Sequence, residues 1–355
     1  MEKIRIAVRK FDPFETTLQK LWDAEAVENL SPLIYQNPPQ DFPEGWHQSL
    51  LHLQEINNQV YGLPFHDGPE CLIYRKDLFE NKTEQINFKN QYGYDLQPPK
   101  TWQQFTDIAT FFNRPDKNLY GCVFANYPDG HNMVFDFCLQ LWTRGGSLLD
   151  DNNQININKP EAVEALDFYR QLVNNKKTTH PKSKEFGSVE AGMAFATGEA
   201  AMAINWFGFA SMCEVIEDSK VKGNVDIAEL PHNEIQKSAS LNVYWLYTIG
   251  SGSKHKKIAY DFLRFATTAE SDKLLTNEGG IGCRKSTWND LEINKTIPYY
   301  HKLSMLHENA LTLPQTPIWP KVAALIDAMV LNAINENVPS KQLLEDTQNN
   351  IQKII

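Results

Sequence analysis

Apolar residues along this chain switch repeatedly between a spacing of two and a spacing of three to four, which predicts strands alternating with helices and an α/β fold. Ile4-Arg-Ile-Ala-Val8 alternates as a buried strand. Asp12-Pro13 ahead of Phe14, Leu18, Leu21 and Trp22 predicts a capped helix with proline at its first position. A second parallel strand is expected next, but Ala24 to Leu30 runs straight into Ser31-Pro32. Further on, Trp46 to Leu53 predicts a short helix and Val60 to Phe65 a strand. Residues 81 to 96 form a long polar segment. Thr101 caps a helix carrying Trp102, Phe105, Ile108, Ala109 and Phe112 on one face. Helices are also predicted over 133–142, from Asn158-Lys-Pro160 through Val173, over 188–196, from 207 to about 218, and over 256–266 and 269–276. Strands are predicted over 121–124, 198–204, 225–230 and 241–249, and helices dominate after the bend 279–284.

The densest polar signal within an apolar frame lies between Tyr61 and Phe79. A short strand ends at Phe65, His66-Asp-Gly-Pro-Glu70 follows, and Cys71-Leu-Ile-Tyr74 resumes the apolar run. Polar groups beside a glycine and a proline, between two strands, fit a ligand cleft or a hinge. The plainer reading is a surface hairpin.

Composition narrows the class. With 355 residues and 42% hydrophobic content the chain can bury about two cores and is not disordered. A formal net charge of -10 argues against nucleic acid as the main partner, which needs clustered Lys and Arg. Five cysteines with no CxxC pair, at 71, 122, 138, 213 and 283, predict buried thiols, with no metal site and no cofactor. No run approaches the length of a membrane span, and the start of the chain has no apolar targeting region or lipid-accepting Cys. A soluble chain is expected, with any export signal absent or removed.

Several pieces then occur in a familiar order. They are Tyr61-Gly-Leu-Pro64, Leu72-Ile-Tyr-Arg-Lys-Asp-Leu-Phe79, Pro98-Pro-Lys-Thr-Trp102, Gly145-Gly146 with Leu148-Leu-Asp-Asp151, and Glu161 to Tyr169. Gly198-Glu-Ala-Ala-Met-Ala-Ile-Asn-Trp206, Lys257 to Leu263 and Gly279-Gly-Ile-Gly-Cys-Arg-Lys-Ser286 complete the set. Over about residues 26 to 355 the chain resembles the extracellular solute-binding proteins of ABC importers, in the sugar-binding branch with maltose- and glycerol-phosphate-binding proteins. The resemblance implies a two-lobed periplasmic-binding-protein-like α/β fold with hinge crossings near 71–74, 241–245 and 279–284. The N-lobe would be 1–73 with 243–282, and the C-lobe 74–242 with 283–355. Measured against that pattern, the N-lobe lacks about two α/β units, or about 50 residues, around Ala24-Glu25.

The implied partners are a small-molecule ligand, a sugar or polyol, and the permease subunits of an importer, with the chain acting as a monomer. The implied location is periplasmic or extracellular, with the cytoplasm left open. By resemblance, Trp206 is a stacking platform, Trp319 a second one, and Arg284 the basic residue after the glycine-rich bend. From the residues themselves, His66, Asp67 and Glu70 are polar candidates. Asn205 stands beside Trp206, and one of Tyr244 and Trp245 must face the cleft if their strand alternates. Tyr127, Asp129 and His131 are placed to rim it. Each has a plainer reading as packing or solvated surface.

Two alternatives remain at this stage. A glycosidase needs two carboxylates about 5 to 10 Å apart with one pKa raised, and Asp67/Glu70 or Asp150/Asp151 supply the residue types. No Gly-x-Ser-x-Gly, HExxH or P-loop occurs, so the chain is read as a non-enzyme. The other is an internally deleted binding fold that no longer transports.

Overall fold

The computed structural model describes residues 18–233 and 236–355. The strand expected at 4–8 and the start of the helix expected from Asp12 lie outside the described residues. Helix α1 (Leu18–Asp23) is followed by α2 (Ser31–Gln36), strands β1 (Glu55–Ile56), β2 (Gln59–Val60), β3 (Leu63–His66) and β4 (Glu70–Arg75), and helices α3 (Lys76–Glu80), α4 (Lys82–Tyr92) and α5 (Trp102–Phe112). Next come β5 (Tyr120–Val123), α6 (Asn132–Trp142), α7 (Pro160–Asn174), α8 (Ser188–Ala196), β6 (Ala200–Trp206), α9 (Phe207–Val215) and β7 (Val225–Ala228). The remainder is β8 (Ser240–Leu241), β9 (Trp245–Tyr247), α10 (Lys256–Ala266), α11 (Ala269–Asn277), α12 (Lys285–Trp288), α13 (Leu291–Thr296), α14 (Leu303–Glu308), β10 (Ala310–Leu311), α15 (Trp319–Asn335) and α16 (Ser340–Gln352).

A four-stranded sheet ordered β5-β6-β4-β7 forms the largest layer, with β5 and β6 parallel and the other pairs antiparallel. β4 is apolar at every position from Cys71 to Tyr74 because both of its faces are covered. Leu72 and Tyr74 point into one core with α5, α6, α7 and α15, while Cys71 and Ile73 point into a second with α8 and α9. Gly121 on β5 is forced by close approach to α5: a Cβ there would lie 1.9 Å from the Ala109 carbonyl oxygen. A third, smaller core joins Leu30, Ile34, Leu63, Ile249, Tyr260 and Leu263 around β3 and α10. All five cysteines are free and buried.

Several sequence expectations need correction. The polar segment 81–96 contains α4, a helix that buries only Phe88 and so shows almost no apolar stripe. Its start is set by Asn81, whose side chain accepts from the Thr83 and Glu84 amides. The stretch 241–249 is not one strand. β8 pairs with β10 and β9 pairs with β3, so the chain changes sheets across 242–244. Residues 46–53 form only a 3-10 turn, Gln48–Leu51, and the helix after Trp206 stops at Val215. Between α1 and α2 there is no strand, only the bridge Val27–Gly250. Asp23 is thus joined to the second helix without an intervening α/β unit.

Candidate functional site

The site is built where the chain passes from β3 to β4. β3 pairs with β9, with His66 opposite Trp245, whereas β4 pairs with β6 and β7. The change of sheet therefore falls at Asp67-Gly68-Pro69. The whole of Cys71–Tyr74 stands inside the large sheet. Gly68 has φ +134, a conformation that L side chains rarely adopt, and it sits where a Cβ would approach the Gly208 amide to 3.4 Å. Asp67 N donates to the Ile281 carbonyl at 3.0 Å, and Ile281 N donates to His66 Nδ1 at 3.0 Å. The bend 279–284 is thereby fastened to the polar segment. Phe207 N donates to Pro69 O on the other side.

Antiparallel register puts Glu70 opposite Trp206 at the end of the large sheet. Trp206 is half-buried, with the edge of Phe135 against it at 5.5 Å and 87°. Glu70 is buried, its carbonyl oxygen accepting from Ser240 Oγ at 2.5 Å. Burial, and then the nearby Asp136, push the Glu70 carboxyl well above the usual range. Asp136 on α6 is itself raised to about 7 by burial, although the Tyr169 hydroxyl donates to it and works in the opposite sense. Asn126 Nδ2 reaches both the Tyr169 hydroxyl and Asp136. Two acid groups, a phenol and a carboxamide thus lie behind a half-exposed indole. The indole can stack a ring, and Glu70, the acid opposite it, is the nearest group of the set to offer a hydroxyl partner.

The other sequence candidates are distributed as follows. Asn205 is buried, donating to the Ser188 carbonyl and accepting from the Trp206 amide, both at 2.9 Å. It braces Trp206. Asp67 is buried against His307, with Oδ2 2.5 Å from Nε2. Tyr244 is buried and donates to Gln54 Oε1 at 2.9 Å, while Trp245 beside it is 36% exposed. Trp319 is 2% exposed in the large core at the start of α15. Arg284 is 1% exposed: it lies 4.3 Å above Trp46, pairs with Asp41 at 2.9 Å and donates to the carbonyls of Gln40 and Thr267. Asp129 pairs with His131 at 2.9 Å beside the start of α6, and Tyr127 is 51% exposed.

The structure therefore brings together Glu70 with Trp206, His66 with Trp245, and Asp67 with His307. Trp319 and Arg284 stand apart, committed to packing and to protein partners, and Tyr244, near Asp67, is taken up by Gln54 and the Leu53 amide. Sequence reasoning missed Asp136, Tyr169, Asn126 and His307. Asp136 and Tyr169 read as helix residues, and His307 is separated from Asp67 by 240 positions. Among the described residues no group of His, Cys, Asp and Glu is arranged to hold a metal. Two open depressions of about 460 and 410 Å³ lie elsewhere, the first beside Asp150 and Gln348 and the second beside Trp46 and His52.

Comparison with known proteins bears on this arrangement. A profile for the bacterial extracellular solute-binding protein family matches residues 8–273. A "Probable ABC transporter-binding protein" of Deinococcus radiodurans is 26% identical over 290 residues, covering 79% of this chain and 64% of its own. A mannitol-binding protein of Pseudomonas aeruginosa is 28% identical over 241 residues, covering 66% of this chain and 52% of its own. The chain thus spans only about half to two-thirds of these relatives. Among solved structures, maltose-bound MalE3 of T. maritima superposes with TM-score 0.80 at 23% identity, over 94% of this chain and 81% of that one. A ribitol complex of a solute-binding protein from Agrobacterium radiobacter gives TM-score 0.81 at 20% identity, over 94% and 82%. The α/β fold is the two-lobed one of these binding proteins. No helix among the described residues is long and apolar enough to cross a membrane. By the span of its family match and by its fold, this chain belongs to the bacterial extracellular solute-binding protein family.

Proposed function

We propose that this chain is the solute-capturing component of an ABC importer, that its solute is a sugar or polyol, and that two lobes close over that solute by hinge bending. The observation that carries this reading is the pairing of Glu70 with Trp206 across β4 and β6. It sets a half-buried indole face beside buried groups able to exchange hydrogen bonds with hydroxyls. The mannitol-binding relative and the maltose and ribitol complexes of similar fold support it. The role is binding without catalysis, as a monomer outside the cytoplasmic membrane, with permease subunits as protein partners.

The proposed lobes are those of the sequence reading, 1–73 with 243–282 and 74–242 with 283–355, with the first boundary moved back to 67–69 because all of Cys71–Tyr74 stands in the large sheet. The changes of sheet at 67–69 and 242–244, and the bend fastened to His66 and Asp67, support crossings at those places. Trp206, Glu70, Asp67, His66 and Trp245 are proposed to face the solute. Asn205, Tyr244, Trp319 and Arg284 hold the walls in place.

Intrinsic-fluorescence titration of the purified chain with mannitol, ribitol and maltose, against amino acids and dipeptides, tests this reading. Saturation by one hydroxylated ligand is expected, with affinity lowered at least tenfold, about 1.4 kcal/mol, in Trp206→Ala. Unchanged affinity in that variant would remove Trp206 from the contact surface.

A further inference from the structure

Hydrogen bonds between the segment 66–70 and the bend 279–284 decide which polar groups are left over beside the site. The Ile281 amide donates to His66 Nδ1 at 3.0 Å. An amide only donates, and a ring nitrogen whose lone pair is so engaged carries no proton. The hydrogen of the His66 ring is therefore on Nε2, and the ring is uncharged. Burial lowers the pKa of His66 and outweighs Asp67, which acts in the opposite sense. The ring is half-buried, and Nε2 has no hydrogen-bond partner among the described residues. It is a donor without an acceptor. Acceptors without donors lie on the same segment. Asp67 Oδ1 and Glu70 Oε2 are both buried, and neither has a hydrogen-bond partner among the described residues. Leaving such oxygens without donors is costly, and solute hydroxyls supply them.

The charges that act on these groups are acidic: Asp67 acts on His66, Asp136 on Glu70, and Asp129 on Asp136. The basic side chains that the fold brings towards this region are engaged. Arg284 is held by Asp41 and by the carbonyls of Gln40 and Thr267. Lys302, which acts on Cys71, is held by Asp226 and the Ile227 carbonyl. His307 is fully buried behind Asp67, with its ring nitrogens turned to Asp67 and Ser49. A carboxylate or phosphate entering here would be a partly buried charge with no counter-charge.

We propose that the site selects uncharged sugars and polyols against their acidic counterparts, and that His66 sets this selection. Its Nε2–H donates to a solute oxygen, while Asp67 Oδ1 and Glu70 Oε2 accept from solute hydroxyls. The neutral ring bonds an uncharged oxygen but offers no charge to balance an acid, so specificity comes from the missing counter-charge as much as from the bonds made. The selection rests on the function proposed above; the position of the His66 proton does not.

Fluorescence titration at pH 7 of mannitol against mannonate, and of ribitol against ribonate, tests the selection, because each pair differs in one terminal group. Each aldonate should bind at least tenfold more weakly than its polyol. An aldonate that binds as tightly as its polyol overturns the proposal and leaves the sugar reading intact. His66→Arg puts a cation at the donor position and should narrow the gap within each pair at least tenfold. An unchanged ratio in the folded variant removes His66 from the selection. Should that variant not fold, long-range proton–nitrogen correlation on the histidine-labelled natural chain reads the same residue. Expected are an unprotonated Nδ1 and a protonated Nε2 on His66, with the Nε2 signal displaced by saturating polyol. A proton on Nδ1, or an Nε2 signal that ignores bound polyol, overturns the donor role. Binding of no polyol, aldonate or maltose removes the sugar reading and the selection with it, whereas the spectra still decide the His66 proton.

Discussion

Asp136 illustrates how much a single buried acid can govern here. Burial raises its carboxyl to about 7, against an ordinary value near 4. A raised folded-state value means that its stabilising contribution is complete below about pH 4 and is lost progressively as pH rises to about 7. Asp136→Asn keeps an oxygen that can accept from Tyr169 and removes this dependence. Between pH 4.5 and 7 the stability of the natural chain should fall relative to the variant by up to about 1.4 kcal/mol per pH unit, read from urea midpoints. Parallel curves would mean that Asp136 is ionised in the fold. Position in sequence did not reveal this residue, because a lone Asp on an otherwise apolar helix shows neither its depth nor the Glu70 beside it. Arg284 shows the converse. Its place after a glycine-rich bend was legible, but the Trp46 face and the Asp41 carboxylate that occupy it come from a segment more than 200 positions away.

Elements with a strong apolar period were legible almost to the residue. α8 and α10 fall on 188–196 and 256–266 as their spacing predicts, and Thr101 caps α5 through a reciprocal pairing with Gln104. α4 was not legible, because its outward face is polar and it meets the core only through Phe88 and the half-buried Tyr92. Such a helix depends on its ends more than on packing. Asn81→Ala should therefore cost about 1 kcal/mol in urea denaturation, by leaving the first amides of α4 without an acceptor. An unchanged midpoint would show that α4 is held by its packing and by the Glu84–Arg114 pair rather than by its cap. The strand expected over 241–249 failed for a different reason. Its residues are all suited to a strand, but Asn242 is drawn away by the Leu311 amide-to-carbonyl pairing and by the Ser49 carbonyl, so the chain crosses between sheets there.

At the scale of the molecule, the order of motifs was enough to identify the family, and the two-lobed fold follows it. The pairing of distant segments was not readable, since contacts such as Asp67 with His307 leave no local trace. α1 turns directly into the Val27–Gly250 bridge, with no strand between α1 and α2. Phe265 and Leu274, on α10 and α11, are 68% and 61% exposed.

The central claim is that the site at Trp206 captures a sugar or polyol. Isothermal titration of the chain with mannitol, ribitol and maltose measures it most directly. The account predicts saturable heat with at least one of them and one site per chain. Absence of heat with all three, together with saturable binding of an amino acid or peptide, would contradict it.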